Sequence, residues 1–183
     1  MKYTFKNNFK KIEYSPNFAP KRGDFPRKFV KEEPLVSVVV RTHKRKEVLR
    51  RTLKSLENQI YKNFEVVIVE DGENTAENMV KSDFPSLNIN YFATGENVGR
   101  GRAGNIGIER AKGKYVCFLD DDDYYYADCI STFVAKLENF PEAGFAVSGV
   151  MAFQVSIANT DPFEFTVTNM YPVSFDHITL MDM

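Results

Sequence analysis

The sequence predicts an α/β fold, a mainly parallel central sheet with helices on both faces. Three observations predict it. Short apolar runs rich in β-branched residues, Leu35 to Val40, Phe64 to Glu70 and Tyr115 to Leu119, alternate with segments of helical periodicity. Strands alternating with helices need crossover connections, and crossovers give parallel pairing. Each run also ends in polar groups: Thr42-His43, Glu70-Asp71 and Asp120 to Asp123. Ligands of open α/β sheets sit at the carboxyl ends of the strands, so these groups are expected on one edge.

The 183 residues, 43% hydrophobic and 27% charged, suit one globular domain with a sizeable core. The net charge of −1 is unevenly placed: residues 1–33 carry nine Lys and Arg against four Asp and Glu, and the remainder carries 15 against 21. No run of about 18 apolar residues predicts a membrane span, and the N-terminus has no apolar signal core. Cys117 and Cys129 form neither a disulfide framework nor a zinc spacing. They read as packed thiols of a reduced, cytoplasmic protein.

Residues 1–33 read as an extension. Tyr3, Phe5, Phe9, Tyr14 and Phe18 interleave with lysines, and Pro16, Pro20 and Pro26 prevent a long helix. An arm packed on the domain surface is expected, doing no chemistry. The alternative is docking to a partner or to an anionic membrane surface, peripheral at the inner face. No nucleic-acid partner is expected, because no recognition module accompanies the basic residues. The domain proper is expected over residues 34–183. After the first strand, an amphipathic helix from about Arg45 to Ile60 places Leu49, Leu53, Leu56 and Ile60 on one face. The second strand, Phe64 to Glu70, precedes a short helix from Glu73 to Lys81 and a third strand from Leu87 to Phe92. The loop Asn97 to Arg102 opens a helix that ends near Gly113. The strand Tyr115 to Leu119 comes fourth and is expected in the middle of the sheet, covered on both faces. A helix from Ala127 to Phe140 follows, then strands at Phe145 to Phe153 and Phe163 to Thr168.

The chemistry gathers around the fourth strand. Four consecutive aspartates repel one another, at a cost in stability unless a cation relieves them. A solvated acidic turn with Asp N-caps is the simpler reading. The apolar strand before it and the features upstream favour a hard divalent cation serving a phosphate-bearing substrate. The glycine-rich loop adds a helix N-terminus for an anion, and Arg100 and Arg102 add charge for phosphates. Together these suggest a nucleotide diphosphate.

Four segments carry a resemblance: Val36 to His43; Leu49 to Gly72; Glu96 to Ile108; and Ala111 to Asp123, reading Ala-Lys-Gly-Lys-Tyr-Val-Cys-Phe-Leu-Asp-Asp-Asp-Asp. In this order and spacing, Pro34 to about Val150 resembles the nucleotide-binding half of a family 2 glycosyltransferase of GT-A, Rossmann-like fold. The resemblance implies an inverting transfer from a UDP-sugar to an acceptor hydroxyl, aided by Mn²⁺ or Mg²⁺. The acceptor would be a glycan, lipid-linked or protein hydroxyl. Thr42 would lie beside the base, with Glu70 and Asp71 at the nucleotide and Asp71 bonding a uracil. Asp122 would ligate the metal, while Asp120 or Asp121 would contact ribose or a metal-bound water, with Asp120 also at the metal. Arg102 could touch a phosphate, although the family commonly has Arg where this chain has Gly104. The family carries its acceptor segment and catalytic acid well beyond the metal motif, so the chain reads as short on that side. Asp176 and Asp182 are the remaining candidates for the base, which stays unassigned. His177 could approach the metal, and His43 is expected to shape the nucleotide pocket. The second reading is a non-catalytic UDP-sugar-binding module within a larger complex. A nucleotidyltransferase is disfavoured, because Arg41 to Arg45 lacks glycine.

Overall fold

The structure is a computed structural model that describes residues 33–147, 150–156, 166–173 and 180–182, with side chains over 33–147. Residues 1–32 lie outside the described residues. Four strands make one parallel sheet: β1 (Val36–Thr42), β2 (Phe64–Glu70), β3 (Ile89–Ala93) and β4 (Tyr115–Asp120), in the order β3-β2-β1-β4. The register sets Thr42 level with Glu70 and Arg41 level with Asp120, so the polar strand ends share one edge.

Helices α1 (Lys46–Glu57), α2 (Glu77–Asp83), α3 (Arg100–Arg110) and α4 (Cys129–Asn139) cover the sheet. Because strand side chains alternate, each strand feeds two cores. Val36, Val38 and Val40 join Val66 and Ile68 on one face, packed with Leu49, Leu53 and Leu56 of α1 and with Val80, Ile130 and Val134. Val39, Val67 and Val69 meet Ala103 of α3 on the other. Each fully buried Leu of α1 contributes about 2 kcal/mol over its exposed state.

Several elements differ from expectation. Helix α1 stops at Glu57 and leaves Ile60 51% exposed. The chain is turned there by Gln59, whose buried side chain donates to the carbonyls of Ser55 (3.2 Å) and Tyr126 (2.8 Å) and accepts from the Ile130 amide (3.3 Å). Strand β4 is an edge strand among the described residues, with Val116 and Phe118 41% and 46% exposed. Among the described residues it is covered on one face, because α3 packs over β1 and β2 on the other side. The expected strand Phe145 to Phe153 is two strands. One is β5 (Ala143–Ala146), antiparallel to β8 (Leu180–Asp182) and part of the compact unit that holds the parallel sheet. The other is β6 (Val150–Ser156), antiparallel to β7 (Thr166–Val173) in a second compact unit. Among the described residues, no helix is long and apolar enough to cross a membrane.

Candidate functional site

The carboxyl edge of the sheet opens into a cavity of about 270 Å³ lined by Arg41, Thr42, His43, Arg45, Asp71, Arg100, Ala103 and Asp120 to Asp122. Strand β1 delivers Arg41 and Thr42, the β2 end delivers Asp71, and β4 delivers the acids. A larger cleft of about 660 Å³ includes Leu35, Glu65, Phe84, Asn88 and Lys112 in its lining. Its buried carboxylate, Glu65, is committed to the Ser37 hydroxyl and the Lys112 amide, both at 2.7 Å, so the convergent charge lies at the smaller cavity.

The acidic turn is closed by the Asp123 amide donating to the Asp120 carbonyl at 3.0 Å. Its carboxylates do not share one environment: the side chains of Asp120, Asp121 and Asp122 are 33%, 1% and 55% exposed. Asp121 is tied inward. The Thr42 hydroxyl donates to its carboxylate at 2.6 Å, and the Thr52 hydroxyl of α1 donates to its carbonyl at 2.6 Å. Burial pushes the Asp121 carboxyl above its usual range, against the pull of Thr42 and Arg45. Asp120 and Asp122 therefore present the open carboxylates, alternate members of the run. Relief of their repulsion comes from three guanidinium groups. Arg41 and Arg100 pair with Asp120 at 2.5 and 2.7 Å, and Arg45 pairs with Asp122 at 3.1 Å and also with Asp121.

Asp71 sits 7% exposed at the cavity wall. Its carboxylate accepts from the amides of Val98 (2.7 Å) and Gly99 (3.0 Å), which anchors the glycine-rich loop at the start of α3. Gly99 holds φ +87°, a left-handed value that a side chain would strain. The Nδ1 of the exposed His43 donates to the Asp71 carbonyl.

Glu70, expected beside the nucleotide, has its carboxylate committed elsewhere. It is 1% exposed and accepts from the amides of Thr75 (2.9 Å) and Ala76 (3.1 Å) and from the hydroxyls of Thr75 and Tyr91. Burial raises its pKa, but those hydrogen bonds outweigh it and hold the carboxyl below its usual value. Capture of residues 75 and 76 also explains why α2 begins at Glu77 and not at Glu73. Arg102 is exposed and is not among the cavity's lining residues; Arg100, two residues earlier and so on a different side of α3, is. Asp176 and His177 lie outside the described residues, and Asp182 is placed only as the backbone partner of Ala143 in β8. Sequence reasoning missed Arg41 and Arg45. Their position right after the first apolar strand, on the same edge as the acids, was the available signal. The thiol of Cys117 is pushed up to about 11 by burial, in keeping with a packed thiol.

A parallel sheet with helices, whose carboxyl edge gathers acids and arginines beside the start of α3, is a fold of GT-A type with a charged cavity at its ligand edge. The family model described as "Glycosyl transferase family 2" matches residues 37–175, and the chain belongs to that family. Glycosyltransferase GlyA of Streptococcus pneumoniae is 31% identical over 122 residues, covering 66% of this chain and 17% of that protein. A GalNAc(5)-diNAcBac-PP-undecaprenol beta-1,3-glucosyltransferase of Campylobacter jejuni is 34% identical over 110 residues, covering 56% of this chain and 34% of that one. Among solved structures, the mannosyltransferase PcManGT of Pyrobaculum calidifontis, in complex with GDP-Man and Mn²⁺, matches with TM-score 0.59 and 26% identity over 66% of this chain and 36% of its own. S. aureus TarS 1–349 in complex with UDP-GlcNAc matches with TM-score 0.53 and 27% identity over 57% and 31%. The chain thus spans between 17% and 36% of the length of these proteins.

Proposed function

We propose that this chain forms the donor site of a metal-dependent inverting glycosyltransferase. It would move a sugar from a nucleotide diphosphate, a UDP-sugar, to a hydroxyl of a glycan, lipid-linked or protein acceptor. The observation that carries this reading is the placement of Asp120 and Asp122 in one cavity with Asp71, Thr42 and three arginines. The complexes of PcManGT with GDP-Man and Mn²⁺ and of TarS with UDP-GlcNAc support it.

The residues fit a cation shared with the substrate. Among the described residues, no group of three or more His, Cys, Asp or Glu could hold a metal unaided. Asp120 and Asp122 supply hard oxygen ligands, and Mn²⁺ or Mg²⁺ is well served by one or two carboxylates plus phosphate oxygens and water. When bound, the cation would offset charge developing on the departing diphosphate. The chain's own residues do the rest. Asp71 keeps lone pairs beyond its two loop amides, enough to accept from a uracil N–H. Thr42 fixes Asp121 and with it the turn that aims Asp120 and Asp122. Glu70 acts at one remove, by holding the segment after β2. The first turn of α3, whose Arg100 and Ala103 line the cavity, would offer a helix N-terminus to an anion.

The acceptor and the side of action follow from weaker support. The C. jejuni relative is named for an undecaprenol-linked acceptor, and the positive residues 1–33 would suit an anionic membrane face carrying such a lipid. Cys117 and Cys129, neither of them in a disulfide, suit a cytoplasmic setting.

A second reading, a donor-binding module acting within a larger assembly, is favoured by one observation. Every carboxylate lining the cavity is already engaged by an arginine, a threonine or a backbone amide, so none stands ready as a general base. Donor hydrolysis or transfer by the chain alone separates the two readings. A thermal-shift panel of UDP- and GDP-sugars with and without Mn²⁺ tests both against the donor site itself. The expected result is a rise in melting temperature that needs metal and is largest for UDP-sugars. No shift with any nucleotide sugar would remove the donor site.

A further inference from the structure

The three arginines at the acids differ in freedom. Arg41 is held: its side chain is 20% exposed and its guanidinium lies over the Phe118 ring, 5.5 Å from the centroid. A Cβ on Gly104 would lie 3.6 Å from its Cδ, so the helix fits closely around it. Arg45 and Arg100 are open, with side chains 50% and 74% exposed. Arg45 immediately precedes α1 and Arg100 is the first residue of α3, so either can swing into the cavity without disturbing the core. Exposed ion pairs contribute little to stability, so separating Arg45 from Asp122 or Arg100 from Asp120 is cheap. Arg45 also pairs with the buried Asp121, whose carboxylate keeps the Thr42 hydroxyl when the guanidinium leaves.

The charges then impose a condition. Asp120 to Asp122 face Arg41, Arg45 and Arg100, while Asp71 is held by backbone amides, so either ligand alone meets opposition. A cation must displace guanidinium groups from Asp120 and Asp122, and a diphosphate must approach carboxylates. Arriving together, metal and diphosphate bring opposite charges. The cation takes the carboxylates, and the released arginines gain phosphate oxygens, which their fork geometry suits.

Resting on the donor-site reading, we propose that Arg45 and Arg100 are exchangeable counter-ions. They neutralise Asp122 and Asp120 in the empty site and bind the donor diphosphate once a divalent cation occupies those carboxylates. The residues thereby couple metal and nucleotide binding.

The test uses Arg45→Gln and Arg45→Lys in the full chain, with Mn²⁺ titrated alone by electron paramagnetic resonance and UDP or GDP titrated calorimetrically at saturating Mn²⁺. Exchange predicts opposite changes in Arg45→Gln. Mn²⁺ alone should bind at least about threefold more tightly, because Asp122 loses its competitor. Nucleotide should bind about tenfold more weakly, because a phosphate partner is gone, a difference of ~1.4 kcal/mol. Arg45→Lys, which keeps the charge, should restore most of both. Weaker nucleotide binding with unchanged or weaker Mn²⁺ binding would overturn the exchange, as would no change in either. Wild-type protein that binds neither nucleotide with Mn²⁺ would remove the donor-site reading and this inference with it. Wild-type binding without the reversal removes only the inference.

Discussion

Asp122 is the acid most open to the cavity, and Asp122→Asn keeps its shape while removing a charged ligand. Mn²⁺ should strengthen UDP binding to the wild-type chain, and the substitution should abolish most of that enhancement, while metal-free binding should hold or tighten because Arg45 is released and one opposing carboxylate is gone. Paired calorimetric titrations with and without Mn²⁺ check this. Relief of repulsion among four acids alone would predict a more stable empty protein. Arg45 already neutralises Asp122, so stability should instead change by no more than about 0.5 kcal/mol. Glu70 gives the opposite profile, large for stability and indirect for binding. Its native pKa lies below the ordinary value of 4.5, so its contribution is fully present above that value and is lost as pH falls through the native pKa. Glu70→Gln should cost about 2 kcal/mol at pH 7, since it breaks hydrogen bonds to a buried charge. Denaturant curves across pH should show the gap between wild type and mutant shrinking below about pH 4.5. A gap independent of pH would show that charge is not what Glu70 contributes.

At the scale of the element, α3 exists by packing. It holds Gly101, Gly104 and Gly107, each about 1 kcal/mol worse than alanine in a helix interior. Gly107 repays this by contact, because a Cβ there would lie 2.3 Å from Val39 Cγ1. Gly107→Ala should therefore destabilise by about 1–2 kcal/mol despite its better propensity, through overpacking against β1. Gly101, with nothing within 4 Å of its Cβ position, is the contrast, and Gly101→Ala should be neutral or stabilising. Val39→Ala should suppress much of the Gly107→Ala cost, a non-additivity readable in thermal melts of the double mutant. Displacing α3 also displaces Arg100 and the Val98 and Gly99 amides, so Gly107→Ala should weaken nucleotide binding as well.

For the whole molecule, the site is assembled within residues 33–146 of the unit that holds the parallel sheet. Glu33 and Pro34 are already part of it, since their carbonyls accept from Asn63 and from the Tyr61 hydroxyl, both at 2.5 Å. Removing residues 1–32 should leave UDP affinity within about tenfold of wild type, as measured by calorimetry. A larger loss would make the basic extension part of the donor site. Binding to vesicles of anionic lipid, compared before and after the same deletion, reports whether the extension addresses a membrane.

Much of this was legible in the chain itself. Strands β1 and β2 were readable because a strand buried on both faces needs a nearly continuous apolar run, interrupted here only by Ser37 and Glu65 before the polar ends; β2 spans Phe64 to Glu70 as the sequence predicts. The gathering of Thr42, Asp71 and Asp120 to Asp122 at one edge followed from parallel strands sharing a direction. What the sequence did not determine was which charged groups are free. Arg45 meets Asp122 across 77 residues, and Glu70 reaches Tyr91 across 21. No local pattern marks such partners, because ion pairing depends on distance in space. Only the tertiary structure separated the inward Asp121 from the open Asp120 and Asp122, put Arg100 and not Arg102 at the cavity, and set β4 at the sheet edge among the described residues. Periodicity reports which residues avoid water, whereas the state of a carboxylate is decided by what the fold brings against it.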